Sequence, residues 1–300
     1  MGLAKLLPDI WKLIYSQMKE LLVKNNNVTL CTENFGEAGR PAILLIMGAT
    51  ASMLWWDEEF CEQLASRGYF VIRYDNRDTG KSTIYESGSS AYDLVDLADD
   101  ALHILDAYKI KQVHLVGMSL GGILSQITAL KYPGLVLSLT LLATGPFGET
   151  DPNIPPMDDR IITFQKKADE IDWTDEDAVV SYLAGGAELL NGTKHSFDKN
   201  RSEILARAEF RRAINFRSMY NHAQLQGGEN YFNRTAEITQ PTLIIHGTAD
   251  KIWNYNNALT LERTLPNVRL LTLDGVGHEL HRLDWNLIID AIARHTGQLD

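Results

Sequence analysis

The strongest chemical signal in the chain is Gly117-Met118-Ser119-Leu120-Gly121. A serine hydroxyl is a weak nucleophile unless a base stands beside it. The G-x-S-x-G spacing presents such a serine on a sharp turn between a strand and a helix, with glycines where the two elements crowd together. The context fits: the apolar run Val113–Val116 leads in and Gly121-Gly122 opens a helix-like stretch. Ser119 is therefore the candidate nucleophile, placed at a strand's carboxyl end, where open α/β sheets take their ligands.

The base that such a serine needs is sought among eight histidines. His278, in Gly275-Val276-Gly277-His278, lies just past the last strand-like run, in a glycine-lined loop able to reach across a sheet edge. His103, His114 and His295 fall on helix or strand interiors, His246 lies in a strand, and His195 and His222 lie in a region without strands. His281 competes with His278. A carboxylate must hold the base in one tautomer. Asp250 follows the run Thr242–His246 through the turn Gly247-Thr248-Ala249, one strand–helix–strand unit before the histidine. The chain order Ser, Asp, His is that expected of a nucleophile elbow on an α/β sheet.

A tetrahedral oxyanion needs backbone N–H donors. Leu120, next after the nucleophile, is one candidate. Ala49 is the other, in the loop after Ala42–Met47, where Gly48 permits close approach. Trp55 and Trp56 follow on that loop, and with Met118 they are candidates for an apolar wall around the substrate; core packing is the competing role for the two indoles. Gly80-Lys81-Ser82 resembles the end of a phosphate-binding loop, but that motif requires glycine where Asp75 stands. No Cys/His cluster has zinc-ligand spacing, so no metal is expected.

These residues need a frame. Strand-like runs at Asn27–Asn34, Ala42–Met47, Tyr69–Tyr74, Gln112–Gly117, Val136–Ala143, Thr242–His246 and Val268–Leu273 alternate with helix-like runs at Asp57–Arg67, Leu94–Tyr108, Leu120–Tyr132, Asn257–Leu265 and Leu283–His295. That rhythm predicts an α/β fold with a mostly parallel central sheet flanked by helices. Between 145 and 240 the rhythm breaks into helix-like stretches, too long for a structureless loop. This segment is expected to be an inserted helical cap, with its ends close together on the sheet's active edge. The core is then 27–144 and 241–300. Residues 3–24 carry apolar side chains at helical spacing, which predicts an N-terminal amphipathic helix over 1–26, packed on its own domain in preference to a membrane surface.

Composition narrows the function. The net charge of −11 opposes contact with phosphate backbones and excludes nucleic acid as a partner. A chain that is 45% hydrophobic and 22% charged is of the soluble globular class. Two cysteines make no disulfide framework, so the sequons at Asn27, Asn191, Asn200 and Asn233 read as chance matches. Lys5, Pro8, Asp9 and Lys12 interrupt any signal-peptide core, and no apolar run is long enough to span a bilayer. A cytoplasmic protein is the expectation; the oligomeric state is not specified.

The elbow, Asp250-Lys251 and Gly277-His278 resemble the α/β-hydrolase superfamily over about residues 27–297. The block Arg73-Tyr74-Asp75-Asn76-Arg77-Asp78-Thr79-Gly80-Lys81-Ser82-Thr83, with Met47-Gly48, resembles its branch containing aclacinomycin methylesterase. The resemblance implies a triad at Ser119, Asp250 and His278, oxyanion donors at Ala49 and Leu120, a helical cap and no cofactor. The chain departs from many members in having Met47-Gly48 in place of His-Gly, and Ala49 where the methylesterase-like loop has a second glycine. The implied activity is hydrolysis of a small-molecule carboxylic ester, a methyl or short-alkyl ester of an apolar acid. A proline-type aminopeptidase, a cofactor-free perhydrolase and a non-catalytic ligand-binding member are the alternatives. The first lacks its His-Gly-Gly-Pro-Gly loop here.

Overall fold

The apolar run Ala42–Ile46 forms a strand buried on both faces, as a sheet covered by helices on each side requires. It is the third strand of the computed structural model, which describes residues 20–89, 91–149 and 151–297. One eight-stranded sheet contains β1 (Glu20–Asn25), β2 (Val28–Phe35), β3 (Ala42–Ile46), β4 (Phe70–Tyr74), β5 (Val113–Met118), β6 (Val136–Leu142), β7 (Thr242–Gly247) and β8 (Val268–Leu273). The order across it is β1-β2-β4-β3-β5-β6-β7-β8. β1 with β2 and β2 with β4 are antiparallel; every other neighbouring pair is parallel.

The described α-helices are α1 (Glu58–Ser66), α2 (Leu94–Ala107), α3 (Leu120–Lys131), α4 (Asp159–Gln165), α5 (Glu176–Leu190), α6 (Lys199–Arg212), α7 (Asn256–Thr264) and α8 (Trp285–His295). Strand alternation divides the core between the two faces. Leu44 and Ile46 join Leu97, Ile104, Leu124 and Leu261 of α2, α3 and α7. Ile43 and Leu45 join Phe60, Leu64, Trp285 and Ile288 of α1 and α8. In α8 the buried Trp285, Ile288, Ile289 and Ile292 fall on one helical stripe, each worth roughly 1.5–3 kcal/mol of burial. α2 starts where Asp93 accepts the N–H groups of Val95 and Asp96 at 2.8 Å and Asp96 returns the bond at 3.0 Å, a reciprocal cap.

The predicted N-terminal helix is corrected where it can be seen. Residues 1–19 lie outside the described residues, but Glu20–Asn25, inside the expected helix, is strand β1. Leu21 and Leu22 suit helical spacing, yet β2 presents an open edge one tight turn away. Asn26 takes the left-handed conformation that this turn needs (φ 50°), and Asn25 pairs with Val28. Ladder hydrogen bonds along the whole strand outweigh the stripe. Val23 is buried and Leu22 is 52% exposed, as a two-residue period demands.

Between β6 and β7 the described residues form helices and turns with no strand: α4, α5, α6 and the 3-10 segments Lys166–Glu170, Phe216–Gln224, Glu229–Tyr231 and Thr235–Glu237. The ends of this insertion do not meet on one edge, contrary to expectation. β6 and β7 are parallel neighbours, so a chain leaving the carboxyl end of one must re-enter at the amino end of the other. The stretch from Glu229 makes that descent, anchored by Thr235 Oγ1 on Gln126 (3.2 Å) and Gln240 Nε2 on the Pro133 carbonyl (3.0 Å).

Candidate active site

Because β3, β5, β7 and β8 are parallel, Gly48, Ser119, Asp250 and His278 all emerge at the same sheet edge. Ser119 sits between β5 and α3 at φ 54°, ψ −119°, a conformation that an L-residue adopts only under constraint, at a cost of about 1–3 kcal/mol. The constraint is visible. The Ser119 N–H donates to Leu142 O (2.9 Å), and its carbonyl accepts from Thr144 Oγ1 (2.9 Å) and from the N–H groups of Gly122 (2.9 Å) and Ile123 (3.3 Å). Gly121 is required here: a Cβ on it would strike the Ile46 carbonyl, so α3 could not approach β3 this closely.

Asp250 is buried, and each carboxylate oxygen is engaged. Oδ1 accepts the N–H groups of Ile252 (2.8 Å) and Trp253 (2.9 Å), and Oδ2 faces His278 Nδ1 at 2.8 Å. Burial alone would push this carboxyl up, but the imidazoles of His278 and His246 hold it well below the ordinary carboxylate range. An ionised carboxylate can only accept, so the His278 proton resides on Nδ1 and the Nε2 lone pair is left free. The histidine loop reaches inward by crossing the end of β7, where the Ala249 N–H donates to Val276 O (2.9 Å). Gly247 lets it pass, since a Cβ there would meet the Val276 carbonyl. His281 is elsewhere: its ring stacks on His195, 4.2 Å between centroids.

Ala49 is exposed on the loop after β3, and Leu120 opens α3. Neither backbone N–H donates a hydrogen bond to any described residue. Gly48 lies against Ser119, a Cβ built on it falling 3.1 Å from Ser119 Cβ. Among the wall candidates, Trp56 is corrected. It is 0% exposed, stacked on Phe60 (5.7 Å between centroids) in the cluster that contains Trp285, and it lines no open site. Trp55 is half-buried, with its indole N–H on Glu209. Met118 is buried at the end of β5 in the same cluster as Trp56.

His195, His281 and Asp284 bring their ligand atoms within 4.8 Å of one another. Their bonds are already those of a closed network: His195 Nε2 is on Asp284 Oδ2 (2.8 Å), Lys194 Nζ on Oδ1 (2.6 Å), and His281 Nδ1 accepts the Leu283 N–H (3.3 Å). The near-parallel rings direct their lone pairs along separate planes, a poor arrangement for one metal ion.

The sequence reading missed four contributors. His246 stands 3.4 Å from Asp250 Oδ2 and donates to Trp253 O (2.8 Å). Thr144 holds the elbow. Glu209 and His222, from the insertion, touch the loop after Ala49. A polar residue inside an apolar run, as at His246, is the only sequence signal for any of them. The 73–83 block proves to be a buried polar hub. Asp75 takes the Met53 and Lys81 N–H groups (both 2.9 Å) and Arg212 (2.7 Å), Arg77 forks onto Asp100 (2.8 Å twice), and Asp78 takes Tyr92 (2.8 Å).

Comparison with known proteins bears on the family. Residues 41–283 match the family model described as the alpha/beta hydrolase fold. Rhodomycin D methylesterase DauP of Streptomyces sp. (strain C5) is 31% identical over 93% of this chain and 98% of its own length; DnrP of Streptomyces peucetius, of the same name, is 30% identical over the same shares. The solved esterase RhEst1 from Rhodococcus sp. ECU1013 superposes with a TM-score of 0.75 at 18% identity, over 94% of this chain and all of the other. No helix among the described residues is long and apolar enough to cross a membrane. The chain belongs to the α/β-hydrolase fold family, as a carboxylesterase-like hydrolase.

Proposed function

We propose that the chain hydrolyses small carboxylic esters through an acyl-enzyme on Ser119. The observation that carries this reading is the buried Asp250–His278 pair, which leaves one imidazole nitrogen basic at the sheet edge where the strained Ser119 emerges. His278 Nε2 takes the hydroxyl proton as Oγ attacks the ester carbonyl, and returns it to the departing alkoxide. Water then repeats the sequence in reverse and releases the acid. The Ala49 and Leu120 N–H groups, which donate to no acceptor among the described residues, serve the tetrahedral oxyanion. Asp250 stabilises the imidazolium without itself taking the proton.

The bond type follows from the walls. Trp55 and Leu120, both half-buried, offer apolar surface near the elbow, worth roughly 25 cal/mol per Å² buried, and an alkoxide leaves more readily than an amine. The methylesterase names of the two relatives support a methyl or short-alkyl ester of an apolar acid. In this reading the helical insertion is a cap that limits substrate size. A panel of p-nitrophenyl esters, methyl esters and proline anilides under identical conditions decides it. Ester turnover is expected to dominate in kcat/KM; anilide turnover exceeding it rejects the esterase reading.

A further inference from the structure

The loop that carries Ala49 is not held by the sheet alone. Thr50, the next residue, has φ 63°, a left-handed conformation that a β-branched side chain strongly resists. Its backbone N–H donates to Nδ1 of His222 at 2.9 Å. His222 belongs to the helical insertion, on Phe216–Gln224, and is buried. Its other nitrogen, Nε2, lies 2.8 Å from the Arg77 carbonyl. A backbone N–H can only donate and a carbonyl can only accept, so His222 is neutral, with its proton on Nε2. Burial, which disfavours the charged ring, agrees with that assignment. The imidazole is thus a bracket between the strained loop and the 73–83 hub.

A second bracket lies two residues on. Ser52 directs both its N–H (3.2 Å) and its hydroxyl onto the Glu209 carboxylate, and the Trp55 indole joins them. Glu209 is buried and sits on α6 of the insertion. The core itself holds the two ends of this loop, through Asn76 Nδ2 on the Met47 carbonyl (3.2 Å) and the Met53 N–H on Asp75 (2.9 Å). Between these ends, at Thr50 and Ser52, the distant side chains that fix the path among the described residues come from the insertion.

We propose that His222 and Glu209 are positioning residues for the oxyanion hole: from the insertion they fix the Ala49–Thr50 peptide and the loop beyond it, and so, through the Ala49 Cα, restrain the preceding Gly48–Ala49 peptide that carries the Ala49 N–H. The inference rests on the reading of Ala49 as an oxyanion donor. Without the His222 acceptor, the Thr50 N–H has no partner and the strained φ has nothing to maintain it. The Ala49–Thr50 peptide is then free to rotate, the Gly48–Ala49 peptide joined to it at the Ala49 Cα loses its restraint, and the Ala49 N–H shifts from the place where charge develops in the transition state. Substrate binding, governed by the apolar walls, is untouched.

The test compares His222→Leu, His222→Gln, Ser52→Ala and Ser119→Ala on p-nitrophenyl acetate and butyrate, below each variant's melting temperature. Active sites are counted by end-point labelling with a fluorophosphonate. His222→Leu is expected to lose about 10²–10³-fold in kcat per active site, with KM within about threefold of wild type. His222→Gln, whose amide can accept from Thr50 and donate to Arg77, is expected to recover at least about tenfold of that loss. Ser52→Ala, mild enough to fold should His222→Leu fail to, is expected to lose about tenfold in kcat at unchanged KM. The proposal is overturned by a folded His222→Leu with kcat per site within threefold of wild type, by loss through KM alone, or by Ser52→Ala matching wild type. If Ser119→Ala retains activity, it is the serine mechanism that fails, a result separable from the others.

Discussion

Nε2 of His246 stands 3.4 Å from Oδ2 of Asp250, the same oxygen that receives His278 Nδ1 at 2.8 Å. One carboxylate oxygen therefore faces two imidazoles, one from inside β7 and one from the loop after β8. With Oδ1 filled by two backbone N–H groups, Asp250 has no rotational freedom left.

That fixation predicts the behaviour of Asp250→Asn. An amide can keep the shape but can present its NH₂ to His278 Nδ1, which then holds the wrong tautomer. In a serine protease with the same pairing this costs about 10⁴ in kcat, and a loss of similar order is expected here, with the melting temperature little changed. Steady-state kinetics beside a thermal melt measure both. Loss below tenfold would remove Asp250 from the triad.

Ser119→Ala is expected to abolish labelling by a fluorophosphonate and to lower kcat by at least about 10³-fold. Mass spectrometry of the labelled wild-type protein should place the adduct on the peptide containing Ser119. An adduct that persists in the variant would put the nucleophile elsewhere.

Glu209 gives a pH prediction. Burial pushes its carboxyl from the ordinary 4.5 up to about 7, against the hydrogen bonds from Ser52 and Trp55 that pull it down. A raised carboxyl binds its proton more tightly folded than unfolded, so its contribution to stability is complete below about 4.5 and is lost as the pH rises to about 7. At 1.36 kcal/mol per unit the loss is roughly 3 kcal/mol. Urea titrations of wild type and Glu209→Gln between pH 4 and 8 should diverge in that window, the variant gaining relative to wild type as the pH rises. Parallel curves would contradict the shift.

Arg212 reaches from α6 into the core to pair with the buried Asp75 at 2.7 Å and with Glu20 at 2.8 Å. Arg212→Met leaves a buried carboxylate without its cation, and about 3–5 kcal/mol of stability should disappear. Adding Asp75→Asn to that variant should restore part of the loss. A urea midpoint unchanged by Arg212→Met would show that the pair contributes little.

The sheet was legible because its strands follow the simplest rule: Ala42–Ile46, Val113–Val116 and Thr242–Ile245 are largely apolar runs followed by glycine, and each leads into a loop that carries a candidate site residue. Ser119, Asp250 and His278 were legible for the same reason, each lying a fixed, short distance past a strand. β1 was not, because Leu21 and Leu22 satisfy a helical stripe equally well, and only the neighbouring edge of β2 decides between the two. Trp56 was ambiguous between wall and core, since its place depends on Phe60 and Trp285, one of them far along the chain. His222 and Glu209 were invisible as site residues. They act on a loop more than 150 residues earlier, and no local pattern encodes such a meeting.

The insertion is fastened unevenly. At its middle, the His278 N–H donates to Leu190 O (2.9 Å), Lys251 Nζ closes on the carbonyls of Leu189 and Asn191 (2.8 and 3.0 Å), and Glu279 takes the Gly192 N–H (3.1 Å). By contrast, from Asp151 to Asp175 nearly every residue faces solvent, Ile161 is the sole buried one among those described, and Asp158 N–H to Lys251 O (2.9 Å) is the main-chain tie to the core. Local opening follows such differences in protection. Amide hydrogens of α4 should therefore exchange with solvent well before those of α5 and α6. Breathing of the insertion is borne by the 151–175 arm, while the helices bonded to the His278 loop and to the loop after Ala49 stay in place.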